Sequence, residues 1–442
     1  MPQTEPNPAR ETFGSRFGSL MVLIGVAVGL ANVWRFPYLA GTYGGAAFVV
    51  LYVALNFLFG IPALMAEWTL GRLTRQGPAG AFVTAGMPGG RWIGLLLLFT
   101  VFMALSYYTL IVGQVLFYTL PGSLLRTGTE TGERLYQTAL GGITPWNLAV
   151  TLITFVGMGI VVRLGVRKGI EAVSKVAMPF VFVALIVVVI RAVTLPGAAE
   201  GLRFYLLPDF SKVDGATVLA AMGQVFFSLS LGGTFFLVYG SYLREEEDIP
   251  MAAVQTALGD VSSALLAGLA VLPAVFAMGV APGSGPSLLF LTLPGVFGAM
   301  PGGVLTGSLF FGAFYVASFL SAMAALEVLV DGAMHYFGWS RSLAIVVLVI
   351  ADILVCLPSM ASSSFLVWND RIWGSTMQPV GSAFTLIALG WCVSRSRALA
   401  EVNRGSSRRI GALWIFWIRW VIPLSIVVVL VYGWWSLIRG VP

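Results

Sequence analysis

Four charged side chains stand out among those within or at the ends of otherwise apolar stretches of this sequence: Arg35, Glu67, Asp260 and Asp370. A charge inside a membrane is costly, so such a residue needs a partner or a function. Asp260, in ALGDVSSALLAG, can neutralise a bound cation, and the alternative is a buried acid that stays protonated. Arg35 and Asp370 can pair across the outer mouth of a site, or they can be two separately solvated charges.

Glu67 and the histidine of this sequence suit structural roles. Glu67 can accept hydrogen bonds from backbone N–H groups that a broken helix leaves unpaired in the membrane. His335 is the only histidine. Its place near a predicted helix end favours an interfacial polar residue, with a proton carrier as the alternative.

Glycine and small polar residues interrupt two apolar stretches, which read GVAVGLANVWRFP and GQVFFSLSLGGTFF. Glycine inside a helix costs about 1 kcal/mol, so these clusters predict breaks. The two stretches open two successive sets of five apolar spans. Interrupted helices at matching positions of two halves indicate an inverted-repeat transporter with a site at mid-membrane. The alternative is that the glycines allow close helix packing.

The elements that must position these residues are membrane spans. The chain has 442 residues, of which 58% are hydrophobic and 10% charged, whereas soluble domains carry about 25% charged residues. Apolar stretches long enough to cross a bilayer recur along the chain. Eleven spans are predicted: 18–42, 45–71, 92–120, 145–166, 170–194, 215–242, 252–278, 304–333, 341–360, 375–394 and 411–437. Residues 287–300 are expected to form a short helix that does not cross.

Charge in the loops predicts the topology. Most lysines and arginines fall on the side of the N-terminus, so we expect a cytoplasmic N-terminus and, after eleven spans, an extracytoplasmic C-terminus. This placement also explains the net charge of +6 without nucleic-acid binding. The predicted fold is all-α, with a cytoplasmic segment 1–17, five-helix repeats 18–197 and 214–396, and an additional helix 410–438. No cleavable signal peptide is expected.

Several long motifs, in order along the chain, resemble the neurotransmitter:sodium symporter family, especially its bacterial amino-acid branch. They are GVAVGLANVWRFPYLAGTYGGAAF, AEWTLGR, RKGIEAVSKVAMP and GQVFFSLSLG. The likeness runs from about residue 10 to about residue 404. It implies a sodium-coupled symporter in a bacterial inner membrane that imports an L-amino acid by alternating access, with helices 1 and 6 unwound. A monomer embedded in lipid would suffice for transport.

The resemblance also implies a set of site residues. The substrate site would comprise Ala27, Leu30, Ala31, Ala104, Tyr108, Phe227, Ser228, Ser230, Gly233, Ser321 and Ala325. The first sodium site would comprise Ala27, Asn32, Ser228 and Asp260. The second would comprise Gly25, Val28, Ala317 and Ser321. The gates would comprise Arg35, Asp370 and Gln224 outside, and Arg10 and Asp331 inside, with Phe13 near Arg10.

Departures from the family pattern carry further expectations. Many members have Asn in place of Asp260, and the fixed carboxylate predicts independence from chloride. Leu320 stands where members have a hydroxyl ligand, which predicts a weakened second sodium site. His335 replaces an acidic partner for Arg10, and Asp331 is expected to substitute for it.

Pocket volume suggests the size of the substrate. Ala104, Gly233 and Ala325 are small where leucine-transporting members have larger residues, which favours a bulky or aromatic amino acid. Gly29 favours an amino acid over a monoamine, because amine-transporting relatives place an Asp there.

Other functions remain as alternatives. Leu320 and His335 would suit the same fold with weakened or absent sodium coupling: a proton-coupled carrier, an exchanger or an amino-acid sensor. An enzyme would need clustered nucleophiles, bases or metal ligands, and the two cysteines, Cys356 and Cys392, are scattered in apolar stretches. A channel fits broken helices and a gate-like Arg and Asp less well than alternating access does.

Overall fold

The computed structural model describes residues 11–127, 132–232, 234–279 and 288–439, and within these ranges the chain is helical without a strand. The helices that cross the membrane, or form part of a crossing, are α1 (Arg16–Ala27), α2 (Ala31–Thr42), α3 (Ala46–Thr74), α4 (Gly90–Thr119), α5 (Pro145–Arg163), α6 (Val166–Val193), α7 (Gly215–Ser228), α8 (Phe235–Ser241), α9 (Ile249–Ala277), α10 (Gly303–Phe337), α11 (Arg341–Ala361), α12 (Ser363–Cys392) and α13 (Ala412–Arg439). Shorter helices are Pro78–Thr84, Pro121–Thr127, Gly132–Ala139, Ala198–Leu206, Phe210–Lys212, Leu288–Ala299 and Arg395–Val402.

Among the described residues, eight single helices are long and apolar enough to cross a membrane, and ten spans result if each bent pair counts as one. The predicted span 215–242 consists of two helices, α7 and α8, and each is shorter than a bilayer crossing requires. The count of eleven therefore stays a prediction. The prediction for α12 was too short, because its first turns carry Asn369, Asp370 and Arg371, which hide the apolar pattern.

The helices form an inner and an outer set. In the most apolar part of α4, α9 and α10, 67% of residues are buried inside the protein, against 33% in α6, α11 and α13. Large side chains such as Ile186 on α6 and Ile350 on α11 point outward. Exposed apolar helices of this kind need lipid as their solvent, so the chain is a multi-pass membrane protein.

Both predicted breaks are present. α1 ends at Ala27, Val28 has extended backbone angles, and α2 starts at Ala31 after a bend of 53°. α7 ends at Ser228, and beyond it Ser230 and Thr234 have positive φ angles of 50° and 59°. Non-glycine residues rarely adopt such angles. The predicted all-α fold with two unwound helices is confirmed.

The second break lies against α12. Gly232, within it, has a φ of 84°, and a Cβ there would lie 1.8 Å from the carbonyl oxygen of Gln378. Only glycine permits this approach of two backbones. The break is thus held between α3 and α12, where its exposed peptide groups can find partners.

Candidate functional site

A cavity of about 590 Å³ lies at the centre of the fold, between the two breaks, α4 and α10. Its lining includes every predicted substrate residue that the structure describes: Ala27, Leu30, Ala31, Ala104, Tyr108, Phe227, Ser228, Ser230, Ser321 and Ala325. The predicted Gly233 lies outside the described residues.

One end of the cavity is polar because both broken helices expose backbone there. The Leu30 N–H, at the start of α2, donates to the Tyr108 hydroxyl at 3.3 Å. The Ser230 hydroxyl donates to the Val26 carbonyl at 3.3 Å. The start of a helix attracts an anion and the carbonyls at the end of one attract a cation, so this end suits a zwitterion.

Gly29 keeps the polar end open. A Cβ on this residue would lie 2.7 Å from the Tyr108 hydroxyl and 2.8 Å from the Ser321 hydroxyl. Any side chain here would clash with both hydroxyls, so the glycine lets the first break lie this close to α4 and α10.

The rest of the cavity is apolar. Val101 and Leu105 of α4 line it together with Ala104 and Tyr108, and Phe235 of α8 adds an aromatic wall. Val101, Leu105 and Phe235 were not predicted from the sequence. The spacing 101, 104, 105 and 108 is one helix face, so helical periodicity around Tyr108 could have found the first two. Val26, Tyr107 and Gln378 complete the lining that was not predicted.

Asp260 of α9 lies beside the central cavity, fully buried, and its two oxygens accept from different helices. Oδ1 accepts from the Asn32 amide at 2.7 Å and from the Ser228 hydroxyl at 2.6 Å. Oδ2 accepts from the Tyr52 hydroxyl at 2.7 Å and from the Asn56 amide at 3.0 Å. The predicted first-site residues Asn32, Ser228 and Asp260 are therefore in direct contact.

This donor set fits a monovalent cation. It combines one carboxylate with amide and hydroxyl oxygens, which are hard ligands. In the part of the chain that the structure describes, no group of three or more His, Cys, Asp or Glu is arranged to hold a metal ion. A single negative charge balances a single positive one. Sequence analysis missed Tyr52 and Asn56, although their spacing of four residues places them on one face of α3.

The predicted second-site residues also come together, but differently. The Ser321 hydroxyl lies 3.2 Å from the Gly25 carbonyl oxygen, 3.2 Å from that of Val26 and 3.1 Å from that of Val28. Ala317 is buried one turn earlier on α10. A hydroxyl has one proton and can satisfy only one of three carbonyls, so this cluster is rich in oxygen acceptors.

Leu320 borders the same cluster. It is buried, with 1% of its surface exposed, and a Cβ placed on Gly25 would lie 3.0 Å from its Cδ1 atom. The Leu320 side chain thus places a methyl group against the turn of α1 that contains Gly25. The carbonyl of Gly25 is one of those that face Ser321. A methyl group offers no lone pair to a cation, and it excludes water that could replace a ligand.

Glu67 of α3 holds the second break in place. Its Oε1 atom accepts from the Gly232 N–H at 2.9 Å and from the Ser382 hydroxyl of α12 at 3.0 Å. The side chain is fully buried. As expected from the sequence, this carboxylate satisfies a backbone N–H that an unbroken helix would have paired internally.

On the predicted outer side, the two charged gate residues contact different groups. Asp370 accepts from the Tyr107 hydroxyl at 2.9 Å and from the Ser375 hydroxyl at 3.4 Å. The Arg35 guanidinium lies 4.4 Å from the centre of the Phe227 ring. A direct Arg35–Asp370 pairing stays a prediction.

Phe227 separates this outer region from the central cavity. Phe227 lines both the central cavity and a second cavity on its outer side, so its ring is their common wall. Gln224, predicted as a gate residue, is buried and donates to the Ala31 carbonyl at 3.0 Å. This hydrogen bond holds the start of α2, and the Gln224 side chain is not exposed on the outer surface.

On the opposite side, the predicted gate residue Arg10 lies outside the described residues. Phe13 is buried against the rings of Tyr239 and Tyr242, whose centres lie 6.3 and 6.2 Å away. Asp331 faces the start of the short helix Pro78–Thr84, since a Cβ on Gly77 would lie 2.1 Å from its Oδ2 atom.

A buried ion pair on this side was missed by sequence analysis. Glu327 of α10 is fully buried, pairs with Arg341 of α11 and accepts from the Tyr242 hydroxyl at 2.8 Å. It is an acid within an apolar span, so the rule that singled out Asp260 also applies to it. His335, two turns further along α10, is exposed.

Known proteins resemble the chain over nearly its whole length. Residues 10–127 and 136–438 match the model of the "Sodium:neurotransmitter symporter family". The "uncharacterized sodium-dependent transporter YhdH" of Bacillus subtilis is 33% identical, over 94% of this chain and 96% of the relative. An "uncharacterized sodium-dependent transporter" of Haemophilus influenzae is 31% identical, over 97% and 99%.

A solved structure is similar as well. The crystal structure of MhsT in complex with L-phenylalanine superposes with a TM-score of 0.86 at 35% sequence identity. The match covers 96% of this chain and 99% of that chain.

Proposed function

Because the chain belongs to the sodium:neurotransmitter symporter family and is a sodium-dependent transporter, we propose that it imports a bulky hydrophobic or aromatic L-amino acid together with sodium. The central cavity carries this proposal, since it joins a polar end made of helix backbone to an apolar chamber. The crystallisation of MhsT with L-phenylalanine supports the same class of substrate.

The proposed pose follows from the polarity of the cavity. The substrate carboxylate lies at the start of α2, against the Leu30 N–H and the Tyr108 hydroxyl. Its ammonium group faces the carbonyls at the ends of α1 and α7, with the Ser230 hydroxyl close by. The side chain points toward Ala104 and Ala325, whose small volumes leave room for an aromatic ring.

In this proposal, a sodium ion binds at the first predicted site, beside Asp260. Asn32 and Ser228 now donate to that carboxylate, and a cation that replaced these contacts would use their oxygens and the Ala27 carbonyl as ligands. The fixed carboxylate supplies the negative charge that the ion needs, so transport requires no chloride. A large loss of uptake in gluconate buffer would contradict this part.

Alternating access would use the two gated sides in turn. Arg35, Phe227 and Asp370 close the outer side, and Arg10 with Asp331 closes the inner side. We place the N-terminus in the cytoplasm of a bacterium and treat 18–197 and 214–396 as the two repeats that move against each other. A monomer contains all the residues that this cycle uses.

The decisive experiment is a panel of L-amino acids tested for sodium-dependent thermal stabilisation of the purified protein. A ligand at a hundred times its Kd stabilises the folded state by about 2.7 kcal/mol, which such an assay detects. We expect phenylalanine, tryptophan, tyrosine or leucine to stabilise strongly in sodium and weakly in potassium. Equal stabilisation in both salts would contradict sodium coupling.

A substitution tests the substrate class separately. Ala104→Leu fills the chamber, and each lost methylene contact is worth about 0.8 kcal/mol. Tryptophan uptake should therefore fall much more than alanine uptake in the same variant. Alanine serves as the internal control for folding and sodium binding, and an unchanged ratio of the two rates would contradict the proposed pose.

One observation favours a narrower alternative. Leu320 borders the second cation site with a methyl group, which favours coupling to one sodium ion in place of two. The sodium dependence of uptake distinguishes the two versions, because a single site gives a Hill slope near one.

A further inference from the structure

Arg419 is a charged residue inside the apolar helix α13, which begins at Ala412. Seven residues at 1.5 Å each place it about 10 Å along the helix. A charge at that depth needs a partner or a function, by the rule that singled out Asp260. The proposed transport cycle does not use Arg419, so its partner has to be found among its surroundings.

The last turn of α12 holds the Arg419 side chain in place. The Nε–H group donates to the Gly390 carbonyl. In the other direction, the Trp391 indole N–H donates to the Arg419 carbonyl at 3.4 Å. In a regular helix the N–H four residues later would pair with that carbonyl, but residue 423 is a proline. Each helix thus gives the other a side-chain donor, and the guanidinium has a fixed position.

The positive charge of Arg419 is not balanced by these contacts, because its hydrogen bond goes to a backbone carbonyl. The described helices that pack against α13 are α3, α7, α12 and the short helix Arg395–Val402. They carry three acids: Glu67, Asp370 and Glu401. Glu67 accepts hydrogen bonds at the second break, Asp370 lies near the far end of α12, and Glu401 pairs with Arg72. The guanidinium therefore needs an anion from outside the chain.

Exposed aromatic rings flank the guanidinium. Its Cζ atom lies 5.7 Å from the centre of the Trp391 ring, and the centres of the Trp391 and Trp420 rings are 4.7 Å apart. Trp391 is 50% exposed, Trp420 is 55% exposed, and Phe416, one turn before Trp420, is 52% exposed. Tryptophan prefers the boundary between lipid headgroups and acyl chains. The rings thus indicate that Arg419 lies at this boundary.

The course of the chain places the membrane surface at the same level. α12 ends at Cys392, and the short helix Arg395–Val402 follows after a bend of 115°. The segment between α12 and α13 also carries exposed arginines at positions 395, 397, 408 and 409. Basic residues next to a membrane span attract anionic lipid headgroups. In the topology proposed above, these headgroups belong to the cytoplasmic leaflet.

We propose that Arg419 binds the phosphate of an anionic phospholipid of the phosphatidylglycerol class, in a site between the ends of α12 and α13. The terminal N–H groups of the guanidinium bond to no described residue and are directed to the phosphate oxygens. A guanidinium matches two oxygens of a phosphate with two parallel N–H groups. The rings of Trp391 and Trp420 pack against the glycerol and the first methylenes of the acyl chains.

A lipid fits this site better than a soluble phosphate does. Arg419 is half-buried within an apolar span, so an anion must reach it from the side of the hydrocarbon. The indole rings beside it would stay in water around a soluble anion, whereas acyl chains cover them. A bound lipid would also hold α12 against α13. Because α12 provides Ser382, which donates to Glu67, this contact supports the second break from a distance.

The test measures binding of dioleoylphosphatidylglycerol to the delipidated full-length protein in detergent, by native mass spectrometry. We expect Arg419→Gln to raise the Kd at least tenfold, equivalent to about 1.4 kcal/mol. Arg439→Gln is the matched control and should change the Kd less than twofold. Arg439 also lies over a tryptophan, at 5.9 Å from the Trp435 ring centre, but at the other end of α13. Equal effects of the two substitutions, or no effect of either, would overturn the site.

A measurement on the wild type covers the case in which Arg419→Gln fails to fold. Phosphatidylglycerol with a photoactivatable group in its acyl chain should crosslink to peptides that contain Trp391 or Trp420. Crosslinks found only in other parts of the chain would contradict the proposal. Arg419→Lys keeps the charge but loses the planar fork, and its Kd should lie between those of the wild type and the glutamine variant.

Ligand controls separate charge, acyl chains and headgroup. Dioleoylphosphatidylcholine has the same chains and no net charge, and its binding should be equal in the wild type and in Arg419→Gln. Loss of both lipids to the same extent would mean that the substitution acts on packing alone, which contradicts a phosphate site. Glycerophosphoglycerol is the headgroup without chains and should not displace the lipid. Effective displacement would assign the site to a soluble phosphate and overturn the lipid. These assays need no transport, so failure of the proposed function leaves them intact.

Discussion

The two predicted cation sites lie on either side of the first break, and they are built from different parts of the chain. Around Asp260, four side chains from α2, α3 and α7 converge on one carboxylate. Around Ser321, one hydroxyl faces three backbone carbonyls while Leu320 contributes only carbon. The first site carries its own charge and the second does not.

This difference has an energetic consequence. A carboxylate attracts a cation through a full charge, whereas a carbonyl or hydroxyl contributes a dipole, so the first site should dominate sodium affinity. The first site also depends on side chains, which a substitution can remove. The second site consists mainly of backbone carbonyls, which a substitution leaves in place. We therefore expect substitutions at the first site to have larger effects, and the following four predictions test this ranking.

The largest effect is expected from Asp260→Asn. The substitution removes the one charged group among the ligands of the first site. Losing one partner of a buried charge pair costs about 3–5 kcal/mol. Sodium-driven uptake at fixed sodium should fall by two orders of magnitude or more, and chloride should partly restore it. Asp352→Asn, which alters another buried aspartate on α11, is the control and should keep its sodium dependence. Normal uptake by Asp260→Asn without chloride would reverse the ranking.

A smaller effect is expected from Tyr52→Phe. The change removes one of two donors to Asp260 Oδ2 and leaves Asn56. A hydrogen bond to a charged group is worth about 1.5–3 kcal/mol. Without this support, the sodium concentration for half-maximal uptake should rise by about tenfold or more. Tyr118→Phe removes a buried hydroxyl that bonds the Phe290 carbonyl, remote from the site, and should change nothing. Equal sodium curves for both variants would show that Tyr52 does not support the first site.

Ser321→Ala should have a weaker effect. A neutral hydroxyl contributes about 0.5–1.5 kcal/mol, and the three carbonyls stay in place. We expect a change of about threefold in the sodium requirement, and a Hill slope near one before and after the substitution. A wild-type slope near two that falls in Ser321→Ala would mean that the second site is filled, and the comparison would then fail.

The smallest change in uptake rate is expected from Leu320→Thr, which returns a hydroxyl beside Ser321. Its informative readout is the Hill slope, which should rise toward two if the methyl group is what weakens the site. Leu320→Val removes volume without adding an oxygen and is the matched control. A rise in both variants would attribute the effect to space rather than to the hydroxyl.

The sequence predicted the parts of this architecture that follow from local patterns. Apolar stretches marked the spans, and glycine clusters marked both breaks. Family resemblance then pointed to cavity residues such as Tyr108 and Ser230. The polar shell around Asp260 was missed because Tyr52 and Asn56 are uncharged, and an uncharged polar residue in an apolar span costs too little to stand out.

Sequence separation explains other gaps. Tyr52 lies 208 residues from the aspartate that it contacts, and no local pattern connects them. Glu327 went unnoticed because its partner, Arg341, begins the next helix and was interpreted as a loop charge. Arg371 was also interpreted as a loop charge, because the polar first turns of α12 hid the early start of that helix.

The Glu67 contact has a consequence for the order of folding. The carboxylate bridges positions 165 and 315 residues away along the chain. Contacts of such long range form late, because closing a long loop must come before the contact can stabilise it. We therefore expect the second break to acquire its shape only when α12 docks against α3. During synthesis, the binding cavity would then be among the last parts of the protein to be assembled, and a chain that stops before α12 would insert its helices without completing the site.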